Sequence, residues 1–176
     1  MYGSSVAGLD AELLDFRPPT PKLIGNPPIH LTAAQRPLFL ALCQSGHDEI
    51  TRLGELDLLL GKPFAAAVNT LLAQSQIKSQ QIRAIGSHGQ TIRHHPQRKF
   101  TLQIGDPNVI AAETGITTIA DFRRRDVAFG GQVAPLVPAF HQAIFSATDV
   151  NRAFINLFVI ANITLFPTDT NFLGFD

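Results

Sequence analysis

The chain has 176 residues, 45 % of them hydrophobic, enough for one domain with a real core or for one lobe of something larger. Its 14 Lys and Arg balance 14 Asp and Glu, so no overall field favours nucleic acid or an anionic membrane surface. A lone cysteine, Cys43, excludes an internal disulfide framework. No signal-like N-terminus is present and the longest apolar stretch is too short to span a bilayer, so a cytoplasmic protein with no membrane partner is expected.

Gly3, Ser4, Ser5, Val6, Ala7 and Gly8 form a turn-like run that should feed a strand within residues 9–16. Pro18, Pro19, Pro21, Pro27 and Pro28 then exclude a helix and predict an extended surface connection. Thr32 is placed to cap a helix to about Ser45, with Gly46 as its stop and Cys43 as a small core residue. From Asp48 onward, Ile50, Leu53, Leu56, Leu60, Phe64, Val68 and Leu71 mark one face of a long amphipathic helix. Pro63 inside it deletes a backbone donor and should kink it, at a cost of about 3 kcal/mol if uncompensated. Residues 83–85 and 101–104 read as strands, and Asp106 as the cap of a helix that starts at Pro107 and stops at Gly115. Residues 116–119 read as a buried strand, Pro135 as the start of a helix to about Phe145, and residues 154–166 as two apolar strands. Strands alternating with helices predict an α/β fold with partly parallel strands.

Three glycine-bearing loops each follow a predicted strand: residues 86–91, Gly105-Asp106, and residues 120–132. Ligands of open α/β sheets bind beyond the carboxyl ends of strands, so several such loops count for more than one. His88 and Gln90 offer hydrogen bonds to a sugar or amide, and Gly86 and Gly89 allow close backbone approach; a turn that simply needs glycine explains this loop equally well. The run Asp121-Phe-Arg-Arg-Arg-Asp126, followed by Gly130-Gly131-Gln132, sets forked cationic donors beside carboxylates, as an anionic, hydroxylated substrate requires. The competing reading is a solvated charged loop. Three consecutive arginines cannot share one face of a helix or strand, so at least one must turn inward or pair locally.

Other patterns carry less. His88 with His94-His95 lacks a spaced acidic or cysteine partner, and the adjacent pair reads as surface histidines rather than metal ligands. Gly54 and Gly61-Lys62 do not make a phosphate loop, because Pro63 stands where Ser or Thr is needed and the residues lie in the long helix. The turn from Gly3 to Gly8 could offer backbone N–H groups to phosphate. A carboxylate holding Mg²⁺ would be sought at Ala7, with Asp10 the nearest alternative.

Four strings, Ile85-Gly-Ser-His-Gly-Gln-Thr91, Leu102-Gln-Ile-Gly-Asp106, Asp121-Phe-Arg-Arg-Arg-Asp126 and Gly130-Gly-Gln-Val-Ala-Pro-Leu-Val-Pro138, closely resemble the anhydro-N-acetylmuramic acid kinase family. The resemblance runs from the first turn to the last residue. It implies the first lobe, here incomplete, of an actin-, hexokinase- and Hsp70-like (ribonuclease H-like) sugar kinase, with ATP and Mg²⁺ in the cleft between lobes. The implied substrate is 1,6-anhydro-N-acetylmuramic acid, a cell-wall recycling sugar. Water opens its anhydro bond and O6 takes the γ-phosphate, giving N-acetylmuramic acid 6-phosphate and ADP. By the same resemblance Asp121 is the catalytic base. Gly3, Ser4, Ser5, Val6, Ala7, Gly8, Leu9 and Asp10 correspond to the ATP loop, and Gly89, Gln90, Thr91 and Arg123 lie by the sugar, in a pocket that Asp121 faces.

The chain departs from the family pattern in places. Ala7 stands where the family's first loop has an acidic residue, and Phe158 and Val159 replace a glycine pair in the family's Asn-Ile-Gly-Gly-Ile-Ala-Asn string, here Asn156 to Asn162. The chain stops at Gly174-Phe175-Asp176, where the family continues into a second phosphate loop and the rest of a second lobe. A non-catalytic remnant that binds the sugar weakly is therefore the alternative to a kinase, with a homodimer or a companion chain as the means of completing it. The apolar strands of residues 154–166 would then be uncovered. The expected outcome on size-exclusion chromatography is association or aggregation; a clean monomer would contradict it.

Overall fold

The computed structural model describes residues 9–17, 20–26, 28–29, 36–131, 137–145, 147, 149–157, 162–168 and 173–175. In chain order the elements are β1 (Leu9–Asp10), β2 (Leu13–Asp15), β3 (Lys22–Gly25), β4 (Pro28–Ile29), α1 (Arg36–Leu42), α2 (Glu49–Ser75), β5 (Ile85–Ser87), β6 (Gln90–His95), β7 (Phe100–Ile104) and α3 (Pro107–Thr114). They continue with β8 (Thr118–Ala120), α4 (Phe122–Ala128), α5 (Pro138–Phe145), β9 (Arg152–Asn156), β10 (Asn162–Phe166) and β11 (Leu173–Phe175). Among the described residues the strands form five small groups: antiparallel β1–β4, β2–β3, β6–β7 and β9–β10–β11, and the parallel pair β5–β8.

The core lies where α1, α2 and the β6–β7 hairpin meet. Phe39, Leu42, Leu56, Leu60, Ile92 and Ile104 are buried there, with Cys43, Leu53, Phe64 and Leu102 packed against them. The amphipathic face expected from Asp48 onward is therefore the core face, except that its first position, Ile50, is 86 % exposed. The helix continues through Pro63 without interruption. Leu60, Gly61, Ala65 and Ala67 are buried on either side of the proline, and that packing outweighs one lost hydrogen bond. By length and composition this 27-residue helix could cross a bilayer. Its apolar face is instead filled by α1, α3 and β7.

Several boundaries differ from expectation for local reasons. The proline-rich segment is not wholly an open connection: its proline-free stretch, β3, pairs with β2 in the register Leu14↔Leu23 and Asp15↔Lys22. Helix α1 ends at Leu42 rather than near Ser45, where a guanidinium nitrogen of Arg93 from β6 bonds the Leu42 carbonyl. Cys43 thus lies one residue past the helix, and the expected cap Thr32 falls outside the described residues, as does Pro135. Strand β5 begins at Ile85 rather than Arg83. Strand β8 begins at Thr118; Ile116 is buried ahead of it, whereas Ile119 within it is 52 % exposed.

Helix α3 has the expected caps. The Asp106 side chain accepts from the Asn108 backbone N–H at 2.8 Å, Pro107 occupies the first turn, and Gly115 closes the end at φ 68° with its N–H on the Ala111 carbonyl. Gly61 lets α3 cross α2 closely, since an added Cβ would lie 2.9 Å from the Val109 side chain and 3.0 Å from the Asp106 carbonyl oxygen. Gly61 therefore serves helix packing, as its rejection as a phosphate loop implied.

The loop joining β7 to α3 is held by Asp57 of α2 at two points. Its Oδ1 accepts the Gly105 N–H at 2.7 Å and its carbonyl accepts the Asp106 N–H at 3.1 Å. Burial, and secondarily the charge of Asp106, push the Asp57 carboxyl up from its ordinary value of 3.8, while the Gly105 N–H opposes them. The folded chain therefore holds this proton more tightly than the unfolded chain. The stability due to Asp57 is full below that ordinary value and is lost as pH rises through the raised one. Asp57→Asn should remove this part of the pH dependence in urea unfolding, whereas Asp57→Ala leaves the Gly105 N–H without its acceptor and costs about 1–3 kcal/mol. Equal stabilities of the two variants would contradict the account.

Candidate functional site

The site is built on the parallel pair. The Ile85 N–H donates to the Thr117 carbonyl at 2.8 Å, and the register runs Ile85↔Thr118, Gly86↔Ile119, Ser87↔Ala120. Both strands therefore end side by side, and the residues leaving them, His88 and Asp121, emerge at one edge, where open α/β sheets bind ligands.

After β8 the chain turns through Asp121 in the left-handed region (φ 61°, ψ 42°) and enters α4. Aspartate tolerates that conformation better than most residues. The arginine run, expected in a loop, is thus a short helix. Its winding of roughly 100° per residue sends the three guanidinium groups to three partners. Arg123 Nε donates to His88 Nε2 at 2.6 Å. Arg124 Nε and one terminal nitrogen both reach Asp121 Oδ2 at 2.5 Å. The Arg125 guanidinium lies 5.9 Å from the centre of the Phe129 ring. Asp126 folds back on the glycine pair: its carbonyl accepts the Gly131 N–H at 2.9 Å and its carboxylate fills the space a Gly131 side chain would need.

Asp121 does not cap α4 through its side chain. Its bonds among the described residues fall on Oδ2, which leaves Oδ1 as an acceptor. An exposed pair of this kind stabilises by only about 0.2–1 kcal/mol, so the contact with Arg124 orients the carboxylate more than it holds the fold.

His88 joins the two strand ends. With Nε2 accepting from Arg123, Nδ1 carries the hydrogen and donates to the Gly89 carbonyl at 2.9 Å. Desolvation, then the charge of Arg123, push its pKa below 6.5, partly opposed by the Gly89 carbonyl. Water at the exposed edge of the residue screens part of that effect.

Gly89 sits at φ 71°, and an added Cβ would come 2.7 Å from the Ile104 carbonyl oxygen, so glycine is required there. Gln90 and Thr91 are strand residues of β6 rather than loop residues, opposite Ile104 and Gln103. Gln90 Nε2 donates to the Thr91 carbonyl at 3.1 Å, and Thr91 Oγ1 accepts from Gln103 Nε2 at 3.1 Å. Gln103, which the sequence reading did not single out, is thereby part of the polar edge. Its place in the Leu102 to Asp106 string, with strand alternation, was the available signal.

Other expected residues stand apart from this group. Gly3, Ser4, Ser5, Val6, Ala7 and Gly8 lie outside the described residues. Leu9 and Asp10 form β1, opposite Ile29 and Pro28. His94 and His95 are half-buried rather than surface residues: His94 Nδ1 lies 3.3 Å from Thr101 Oγ1, and the His95 ring packs 5.1 Å from that of Phe100. Among the described residues no group of three His, Cys, Asp or Glu could hold a metal ion. The Asp121 side chain is 40 % exposed. Two cavities among the described residues lie elsewhere: one of about 420 Å³ between Ile24–Asn26 and the end of α2, the other of about 190 Å³ between α1 and α2. The expected sugar-sized pocket is thus not enclosed by the described residues, which supply a polar floor open to solvent.

A family model described as anhydro-N-acetylmuramic acid kinase matches residues 1–176. The anhydro-N-acetylmuramic acid kinase of Shewanella amazonensis is 56 % identical over 182 residues, matched along 100 % of this chain and 48 % of its own length. That of Saccharophagus degradans is 51 % identical over 181 residues, matched along 100 % of this chain and 49 % of its own, and that of Shewanella sediminis is 53 % identical over 184 residues, along 100 % and 48 %. The chain therefore spans about half the length of the curated relatives it matches.

The His88 geometry fixes an NMR outcome. The ring should titrate below 6.5, and Arg123→Gln should move its midpoint upward by removing a neighbouring cation. Because the folded pKa is depressed, the stability linked to His88 is present above 6.5 and is lost as pH falls through the lowered value. An unshifted midpoint in the variant would contradict the contact.

Proposed function

The chain belongs to the anhydro-N-acetylmuramic acid kinase family, and from that premise we propose that it supplies the sugar-side lobe of an ATP-dependent phosphotransferase. Its mixed α/β architecture is that of actin-like sugar kinases. The observation that carries the reading is the meeting of Asp121 with the Arg123–His88 pair at the ends of two parallel strands.

In this reading 1,6-anhydro-N-acetylmuramic acid lies over the polar edge formed by Gly89, Gln90 and Thr91. The Arg123 guanidinium would stand beside its carboxylate as a cationic donor. Asp121 Oδ1 takes a proton from a water whose oxygen bonds to the anomeric carbon. The bond from that carbon to O6 breaks, its electron pair stays on O6, and O6 takes the γ-phosphoryl group as ADP leaves. The products are N-acetylmuramic acid 6-phosphate and ADP, and the reaction belongs to cytoplasmic recycling of cell-wall amino sugar. The neutral His88 ring keeps Arg123 turned toward the strand ends without adding a competing positive charge.

ATP would contact the segment Gly3, Ser4, Ser5, Val6, Ala7 and Gly8, followed in sequence by Leu9 and Asp10. Ala7 offers no carboxylate, and the described carboxylates form no metal cluster. Mg²⁺ therefore enters this reading only as the ion carried with the nucleotide phosphates, and no step is assigned to it.

A second reading, a remnant that binds sugar without turnover, is favoured by the exposure of Asp121. The two separate in one experiment. The chain is mixed with the portion of the Shewanella amazonensis kinase that lies outside the match, and ADP release is followed with and without the anhydro sugar. The kinase reading predicts sugar-dependent release that Asp121→Asn lowers about 10²–10⁴-fold while calorimetric sugar binding persists. Sugar binding with no release from the wild-type mixture would establish the remnant instead.

A further inference from the structure

The β6–β7 hairpin has two unlike faces. Side chains alternate along β7, so Leu102 and Ile104 turn to the core while Thr101 and Gln103 turn the other way. Across the pair Thr91 stands opposite Gln103, and past a register shift His94 stands opposite Thr101. Helix α4 lies against β7, so the hairpin adjoins the candidate site.

The polar face is joined in one line of hydrogen bonds. Gln103 Nε2 donates to Thr101 Oγ1 at 2.8 Å and to Thr91 Oγ1 at 3.1 Å. Thr101 is 2 % exposed, and its hydroxyl donates to the Arg93 carbonyl at 3.3 Å. With that hydrogen committed, the Thr101 oxygen requires a donor, which sets the Gln103 amide nitrogen rather than its oxygen toward it. His94 Nδ1 lies 3.3 Å from the same oxygen. The second amide hydrogen of Gln103 then falls on Thr91, whose oxygen is an acceptor within the protein. A hydroxyl that accepts in this way keeps its own hydrogen to give. Among the described residues no group takes that hydrogen, and Thr91 is half-buried at the second position of β6.

We propose that Gln103 is a positioning residue of the sugar edge: anchored on buried Thr101, it makes Thr91 a fixed donor that meets a carbonyl or carboxylate oxygen of the ligand. The proposal rests on the reading of this edge as sugar-binding. 1,6-Anhydro-N-acetylmuramic acid carries both kinds of oxygen, one in its acetamido group and one in its lactyl carboxylate. A free amine at the same place would set donor against donor, so position 91 selects acylated over deacylated sugar.

Two variants remove the donor in different ways. Gln103→Glu keeps the shape but makes the side chain an acceptor, toward which the Thr91 hydrogen turns. Thr91→Val deletes the hydroxyl at nearly constant volume. In calorimetric titration of the chain with the anhydro sugar, each should weaken binding about tenfold, with Thr91→Ser close to wild type. The double variant should bind no more weakly than either single one. Losses that multiply in the double variant would overturn the proposal alone, whereas a wild-type chain that binds no sugar would overturn the sugar-edge reading and the proposal with it. Should Q103E fail to fold, Gln103→Met leaves Thr91 free to rotate and should weaken binding about threefold, an effect absent in the Thr91→Val background. Exchange of the Gln103 side-chain amide hydrogens, read by NMR, checks the geometry without sugar. It should be slow in the wild type and faster in Thr91→Val; fast exchange in both would overturn the proposal. An analogue lacking the lactyl carboxylate assigns the oxygen. A persisting tenfold effect of Thr91→Val upholds the donor and names the acetamido carbonyl, and a vanished one upholds it and names the carboxylate.

Discussion

The parallel pairing of β5 with β8 is the constraint on which the rest of the site depends. Two parallel strands need a long crossover, and here it is made of the β6–β7 hairpin followed by α3. Each join in that crossover has a specific backbone requirement. Gly89 turns the chain into β6 where any side chain would strike the Ile104 carbonyl, Gly105 turns it out of β7 against the Phe64 ring, and Gly115 releases α3 toward β8. Asp57 fixes the middle join from outside, and Gly61 allows α3 to lie close enough to α2 for Asp57 to reach it. The result is that His88 and Asp121, 33 positions apart in the chain (121 − 88), leave neighbouring strands at the same edge.

At that edge the electrostatics are divided among separate partners. A run of three cations would repel itself if all three pointed one way; the helix instead gives one to His88, one to Asp121 and one to an aromatic ring. Desolvation first, and then the charge of Arg123, lower the pKa of the histidine that accepts the Arg123 hydrogen bond. The Asp121 side chain, 40 % exposed, keeps its carboxylate within reach of solvent at this edge.

How much of this the sequence made legible follows from how local each cause is. Helix α3 could be read with its caps because Asp106, Pro107 and Gly115 act within one turn of themselves. The core face of α2 was readable from its period, but its passage through Pro63 was not, since the packing that tolerates the proline comes from other elements. Helix α4 was hidden for a similar reason: a charged run beginning with a left-handed aspartate looks like a loop until β8 and β5 fix its start. The importance of Gly89, Asp121 and Arg123 was read from string resemblance and not from periodicity, whereas the His88–Arg123 bond and the roles of Asp57 and Gln103 depend on contacts between distant parts of the chain. The pocket expected from the resemblance is not enclosed by the described residues, because string similarity carries no information on what surrounds a side chain.

The central claim is that the ends of β5 and β8 form one sugar-binding edge. Titration of the ¹⁵N-labelled protein with 1,6-anhydro-N-acetylmuramic acid tests it most directly. The account predicts that backbone amide signals of Gly89, Gln90 and Thr91 shift together with those of Asp121 to Arg124, along a single binding curve. Shifts confined to one strand end, or centred on the cavity near Ile24 and Ser75, would contradict it.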